Sequence, residues 1–488
     1  MAESGIISYN LYGNPSEGAT DFLWMLILSI FYHIGFDTYL SATFLSALSL
    51  FGTAFILFKI TDSDNIRVFL FILVMLLGMP PIFSAVQGFS TLFFGFFILL
   101  SIFFYLKGKL APLVISSLLT CLIRPDGIVF VAPLIAFFLV LDKENIFKNI
   151  SYVVFLAIIP GLVYFFWRFQ YFNNLFPLPF YVKSNFERFA ILFNEAALKT
   201  NLKLIVKLIP VMFIVFLGIN KLNANKNKIY FLLVSTVFIP FLFYSAMNLE
   251  QNVAGRFQYP MAISIIAISL IFYNLFQVIW IYVALLCSLM LMAPSYINAT
   301  LDTISIPYEN PIYISKSLNR LQCNGTMMIT EAGRLPYYSK WQAIDLWGLN
   351  TPALSKTLVS PQFVRDYNPD LIVLHSGEYS RFINQDNLIT DGSKTWINMV
   401  KNAYVGAATY GDYQLFMVPF FQTEKCWVCQ LKKRLKELVN RNTEFDRYDM
   451  YMIRKDSLCF SGVKKIILEH GAVDYQTYFD RKSHFINR

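Results

Sequence analysis

The sequence predicts an α-helical, polytopic membrane domain followed by a C-terminal soluble domain of α/β or α+β class. Composition is the first observation: 56% of the 488 residues are hydrophobic and 49 are Phe, with a mean hydropathy of +0.52, above the roughly 45–50% apolar content of soluble domains. The second is that the apolar residues fall in runs near bilayer length, separated by short loops carrying Lys and Arg. The third is a change after Pro294: residues 294–488 hold no candidate span and alternate short apolar runs with polar ones. The chain divides accordingly into a membrane domain over 1–293 and a soluble domain over 294–488.

Taken in order, residues 1–21 (MAESGIISYNLYGNPSEGATD) are rich in Gly, Ser and Asn and form a loop outside the bilayer. They lack the basic start and apolar core of a signal peptide. The run over 22–35 is shorter than the ~20 residues a span needs, so a surface or re-entrant juxtamembrane helix is expected there. Spans follow at 38–58, 66–82, 89–106, 110–123, 128–141, 150–167, 203–220, 228–246, 258–274 and 276–293, about ten in all. In the soluble domain, Thr326–Thr330 (TMMIT) and Leu371–Leu374 (LIVL) read as buried strands. Lys425–Val439, with its Lys432-Lys433-Arg434 stretch, reads as a helix.

Loop charge sets the orientation. Lys59 and Arg67, Lys107 and Lys109, Lys143 and Lys148, and Lys221, Lys226 and Lys228 fall on alternate sides in this count, which marks those loops as cytoplasmic. Counting 22–35 as a span would put the Lys59 and Arg67 loop outside, against that rule. The remaining loops, with isolated cations, face outward, and parity places the soluble domain on the same external face. The net charge of +9 is therefore a matter of topology, and nucleic acid is not an expected partner. Six Cys give no dense disulfide framework: Cys121 and Cys287 lie in apolar segments. Cys426 and Cys429 form a C-x-x-C that is weak for zinc, and they read as a local disulfide or two free thiols.

The residues that invite chemistry lie in the outward loops. Leu122–Gly127 (LIRPDG) breaks two apolar runs with a Pro-Gly interruption bearing Arg124 and Asp126, which hydrocarbon cannot accommodate; it reads as a phosphate-facing turn or as a local ion pair. In Asn14–Trp24, Glu17 and Asp21 are carboxylates able to act as a base or to bind a sugar hydroxyl, against helix capping as the plainer role for Asp21. Trp167–Lys183 sets Arg168 and Lys183 at the ends of an aromatic, Pro-stiffened loop containing Tyr181. A guanidinium there can fork two phosphate oxygens and an ammonium can add a point charge; an interfacial aromatic belt explains the loop equally. In Asn252–Pro260, Arg256 has Glu250 near enough to pair. In the soluble domain Glu331, Tyr337 and Asp345 flank strand ends in a pattern suited to carbohydrate contact or to a structural turn. No P-loop, G-x-G-x-x-G, H-E-x-x-H or G-x-S-x-G is present, which removes nucleotide hydrolysis and zinc proteolysis.

Five segments in this order and spacing, SEGATDFLW, LIRPDG, WRFQYFNNLFPLPFYVKSN, GRFQYP and EAGRLPYYSKWQAIDLWGLN, resemble bacterial polytopic glycosyltransferases of the GT-C class, and among them those similar to the terminal β-arabinofuranosyltransferase of mycobacterial cell walls. The similarity covers the membrane part and the first quarter of the soluble domain. It implies a polyprenyl-phosphate sugar donor, inverting transfer to an envelope glycan or glycoprotein at the outer face of the bacterial inner membrane, and a catalytic carboxylate in the first external loop. The implied roles are donor-phosphate binding for Arg124, Arg168, Lys183 and Arg256. Glu17 and Asp21 lie by the acceptor or sugar, and Asp126, Tyr181, Glu331, Tyr337 and Asp345 contact substrate. No metal-ligand motif accompanies them, and the sequence leaves open whether the reaction takes a divalent metal. Members of the class usually carry a first span and an acidic pair before a segment like Ala2–Asn10, so the resemblance implies an in-frame upstream span followed by one or two acidic residues. The alternatives are a lipid-linked sugar transporter or flippase, for which no inverted repeat is visible, and a non-catalytic truncated homologue.

Overall fold

The computed structural model describes residues 1–488 except 12, 185–193, 223–225, 248, 250–251, 376–381, 385–388, 391–393, 423–425, 432–433, 435–446 and 487–488. Its first part is a helical bundle: α1 Phe22–His33, α2 Thr38–Ile60, α3 Ile66–Leu77, α4 Ile82–Val86, α5 Thr91–Leu106, α6 Leu110–Ile123, α7 Ile128–Leu141, α8 Ile146–Val153, α9 Ile159–Phe172, α10 Leu178–Ser184, α11 Glu195–Lys221, α12 Lys226–Leu233, α13 Ile239–Ala246, α14 Tyr259–Ile271 and α15 Val278–Ser305. Among the described residues six continuous helical stretches are long and apolar enough to cross a membrane: Thr38–Ile60, Lys143–Phe172, Glu195–Lys221, Lys226–Ala246, Val253–Ile271 and Val278–Tyr308. Ile66–Leu77, Thr91–Leu106, Leu110–Ile123 and Pro125–Leu141 are apolar but shorter.

The burial pattern follows from which helices are apolar all round. α14 is buried along almost its whole length, and the ring of Tyr259 lies so close over Gly95 of α5 that a side chain there would collide with it. Its Ser264 and Ser269 hydroxyls satisfy themselves by donating to Pro260 and Ile266 carbonyls, at 2.7 Å each, so these two residues can lie at the centre of the bundle. The stretch Lys143–Phe172 is instead peripheral and leaves Phe155, Leu162, Val163 and Phe166 exposed, as expected of a surface wetted by lipid. α1 packs Trp24 on Ala42, Leu45 and Phe93, all in the first two turns of α2 and α5. It therefore lies across the ends of those helices.

α15 runs through Pro294 and ends at Ser305. The change in composition thus falls inside a helix, whose last turns lead into the C-terminal domain. That domain is a six-stranded mixed sheet in the order β2-β1-β3-β7-β6-β8, with β1 Thr326–Ile329, β2 Gln342–Asp345, β3 Leu371–Leu374, β6 Tyr413–Pro419, β7 Tyr448–Arg454 and β8 Val473–Asp474; β4 Phe382–Asn384 and β5 Ile389–Thr390 pair separately. β1 is parallel to both β2 and β3, whereas β7 runs antiparallel to β3 and β6. Helices α16 Asn310–Leu318, α17 Arg334–Ser339, α18 Pro361–Tyr367 and α19 Lys394–Tyr410 come from the connections. Alternate residues of each strand enter two cores. Met328, Ile372 and Met452 meet Val364 and Met399 on one face, and Met327, Leu371 and Ile453 meet Ile314 and Val463 on the other.

Two disulfides tie this domain, Cys426–Cys429 and Cys323–Cys459. The first settles the C-x-x-C as a local disulfide; the second joins residues 136 apart in sequence, a pairing no spacing motif announces. Of Lys425–Val439, expected as a helix, residues 427–431 and 434 are helical and most of the rest lies outside the described residues.

Residues 1–21 join the two parts. Asn10 uses its side-chain amide as a strand would, donating to the Ala343 carbonyl at 3.0 Å and accepting from the Ala343 N–H at 2.8 Å, so it covers the free edge of β2. Tyr9 donates to the Ala332 carbonyl at 3.3 Å and Ser16 to the Asn350 carbonyl at 2.7 Å. On the membrane side the Ile7 N–H donates to the Tyr171 hydroxyl at 3.0 Å.

Candidate functional site

The Arg124–Gly127 interruption closes α6. Arg124 takes an extended backbone and Pro125 opens a short turn that passes directly into α7. The turn folds the Arg124 guanidinium onto Asp126, with Nε to Oδ1 at 3.0 Å and Nη2 to Oδ2 at 2.7 Å, and Tyr244 of α13 donates to the same Oδ2 at 2.6 Å. The expected local ion pair is therefore present, with Arg124 buried and Asp126 half-buried. Its other contacts are aromatic: Arg124 lies 4.8 Å from the Phe94 ring centroid and 4.9 Å from that of Phe257.

Phe257 belongs to the Asn252–Pro260 loop and is shared. Arg256 lies 5.0 Å from the same ring and 4.0 Å from that of Phe89, so two guanidiniums from motifs far apart in sequence flank one aromatic ring. Positive φ values at Ala254 (52°) and Gly255 (74°) turn the chain tightly enough to aim Arg256 there. A buried amide chain holds the loop: Asn252 donates to Gln258 at 2.6 Å, Gln258 to Asn201 at 2.8 Å and Asn201 to Ser245 at 2.9 Å. Among the described residues Arg256 has no carboxylate partner, and its buried Nε makes no hydrogen bond. Glu250, its expected partner, lies outside the described residues.

Asp21 enters from the first loop. It stands at the N-terminus of α1, yet its carboxylate makes no capping bond. One oxygen accepts from Ser90, the other from Thr20 at 3.2 Å, and its charge acts on both Arg124 and Arg256. Capping, the plainer expectation for Asp21, is thereby corrected: Ser90, next to Phe89, draws the side chain off the helix end towards the arginines.

The structure separates Arg168 from this cluster. Glu17 receives its Nε at 2.8 Å and its Nη2 at 2.5 Å, and Nη1 donates to the carbonyls of Asn174 (3.2 Å) and Leu175 (2.9 Å). Both side chains are buried, 5% and 7% exposed, which leaves no open face for a phosphate. Arg168 and Glu17 form a buried pair that ties α9 to the first loop. Burial raises the Glu17 carboxyl above its ordinary value, and the guanidinium pulls it part of the way back by hydrogen bond and charge. The side chain of Lys183 lies outside the described residues. Tyr181 accepts from the Phe176 N–H at 3.3 Å and carries Lys356 of the C-terminal domain 4.6 Å from its ring centroid, so it is an interdomain contact.

The candidates in the C-terminal domain also divide. Asp345, at the end of β2, is fully buried; it accepts from the N–H groups of Trp347 and Asn350 and from the Asn350 amide, each at 3.0 Å. Burial still pushes it up to about 6. It shapes the turn whose Asn350 carbonyl receives Ser16, and so positions the first loop rather than a ligand. Tyr337 is exposed and stacks edge-on against Tyr338. Glu331 lines a cleft that the sequence reading missed, together with Thr330, Arg334, His375, Asp449 and Tyr451. No spacing marks that cleft, because its residues come from α16, α17 and the ends of β1, β3 and β7. Among the described residues no group of three or more His, Cys, Asp or Glu is arranged to hold a metal ion.

A family model described as a domain of unknown function (DUF8728) matches residues 307–428, a stretch running from α16 through β6 that includes Glu331, Asp345 and His375. No curated protein and no solved structure matches the chain.

Proposed function

We propose that this chain is a membrane glycosyltransferase that moves a sugar, a pentofuranose in the reading the resemblance implies, from a polyprenyl-phosphate donor to an envelope glycan or glycoprotein. One observation carries the proposal: Arg124 and Arg256 flank Phe257 with Asp21 alongside, and among the described residues no carboxylate is bonded to Arg256. An open guanidinium beside a balanced one suits a lipid phosphate, whose charge grows as the sugar leaves. Asp21 is then the carboxylate nearest to the phosphate site and the candidate to take the acceptor's hydroxyl proton.

In this reading the four shorter helices also cross, giving about ten spans. The Arg124, Arg256 and Asp21 end of the bundle and the C-terminal domain face outward from a bacterial inner membrane. Two disulfides confined to that domain support an oxidising compartment, as does the clustering of Lys59, Arg67, Lys107 and Lys109 at the opposite helix ends.

The test is transfer from a radiolabelled polyprenyl-phosphate pentose to an envelope-glycan acceptor in membrane vesicles. Arg256→Ala removes one charge-assisted contact, of about 1.5–3 kcal/mol, and is expected to cut transfer by roughly tenfold or more. Transfer at the unmodified rate in Arg256→Ala, with the protein present in the vesicles, would refute the assignment.

A further inference from the structure

The cleft in the C-terminal domain stands where an open α/β sheet offers a site. The chain leaves β1 for β2 on one side and then crosses to β3 on the other, so β1 and β3 are the neighbouring parallel strands at which the winding reverses. Ligands of such sheets bind outside the carboxyl ends of the strands at that point. Thr330 and Glu331 follow β1 directly, His375 follows β3, and Asp449 opens the antiparallel β7 beside them. The closed part of the cleft is small, about 20 Å³, which is room for one water or for one hydroxyl group of a ligand lying across its mouth.

Its charges are largely matched against each other. His375 Nδ1 meets Asp449 Oδ1 at 2.7 Å and Glu331 Oε2 at 3.6 Å, with Arg447 Nη2 3.2 Å from the same nitrogen. Arg334 is paired with Glu309. Three carboxylates thus face two guanidiniums and an imidazole, a balance that gives neither a phosphate nor a cation a decisive gain.

What remains open is hydrogen-bonding capacity. The Tyr451 hydroxyl is buried in the wall of the cleft, with the residue 1% exposed, and has no partner among the described residues. Leaving it so costs free energy that a ligand's hydroxyl would recover. The Glu331 side chain is 50% exposed and, among the described residues, its one ionic contact is the long one to His375, so it can accept from a second hydroxyl. Ile329, Leu335 and Val373 supply an apolar floor.

We propose that this cleft is a binding site for a neutral, polyhydroxylated ligand, a saccharide, with Tyr451 and Glu331 as its hydrogen-bonding residues. The site is separate from the arginine cluster and does not depend on the transfer chemistry proposed above. The test titrates the full chain in detergent with soluble arabinan, galactan, mannan and dextran oligosaccharides, and with inorganic phosphate, by calorimetry. At least one oligosaccharide is expected to bind saturably. Tyr451→Phe, which keeps the ring, should weaken it about threefold to tenfold and Glu331→Gln about tenfold or more, while Arg256→Ala leaves it unchanged. Failure of every oligosaccharide to bind, binding indifferent to both cleft substitutions, or saturable binding of phosphate in their place overturns the proposal.

Discussion

The buried Glu17–Arg168 pair makes an asymmetric prediction. Removing one member of a buried pair strands the other, at about 3–5 kcal/mol, whereas replacing both by apolar groups of similar size is often near neutral. Here the two orphans differ. In Glu17→Leu the guanidinium cannot lose its proton and retains only the carbonyls of Asn174 and Leu175, so the full ~3–5 kcal/mol is expected. In Arg168→Met the stranded carboxyl, already raised by burial, can take a proton. The cost should then be smaller at low pH and grow as pH rises through the folded-state value, because the folded form binds the proton that the unfolded form releases. The double variant Glu17→Leu/Arg168→Met should recover to within about 1 kcal/mol of the parent. Urea unfolding in detergent at pH 5 and pH 8, followed by tryptophan fluorescence, measures all three. Two single variants each within about 0.5 kcal/mol of the parent, the range of ordinary surface substitutions, would refute the reasoning. So would a double variant as unstable as the sum of the singles.

Asp345, pushed up to about 6 by burial from an unfolded value near 3.9, holds a proton in the folded state that the unfolded chain releases between roughly pH 4 and 6. Its contribution therefore weakens the C-terminal domain as pH rises through that window, by about 3 kcal/mol in all. Asp345→Asn should flatten this slope in a denaturation series; an unchanged slope would exclude Asp345 as its source. A side chain at Gly18 would overlap the Asn350 amide, so Gly18→Ala should cost about 1–3 kcal/mol of stability. Gly18→Ala/Asn350→Ala should be less impaired than the sum of its singles; strict additivity would show that the two do not touch.

How much of this was legible in the sequence depends on the range of the interaction. Helical apolar runs, the short juxtamembrane segment and the TMMIT and LIVL strands are written locally, in the length and period of the apolar residues. So is the Arg124–Asp126 pair, two residues apart and set by one Pro-Gly turn. The sequence also singled out Arg256, Asp21, Glu17 and Arg168 as charged residues of the outward loops that invite chemistry.

Which charge met which was decided in three dimensions. Arg168 stands 151 residues from Glu17, and only the approach of the first loop to α9 brings the two together. Asp21 stands at the start of α1, yet its carboxylate accepts from Ser90, 69 residues away in sequence. His375, Glu331 and Asp449 converge only when β1, β3 and β7 lie side by side, and Cys323 finds Cys459 by the same folding of the sheet. Local sequence fixes backbone preference and hydrophobic period, which act over a few residues. Partner choice among buried charges depends on contacts between distant segments, and the free energy that selects them exists only once the elements have packed.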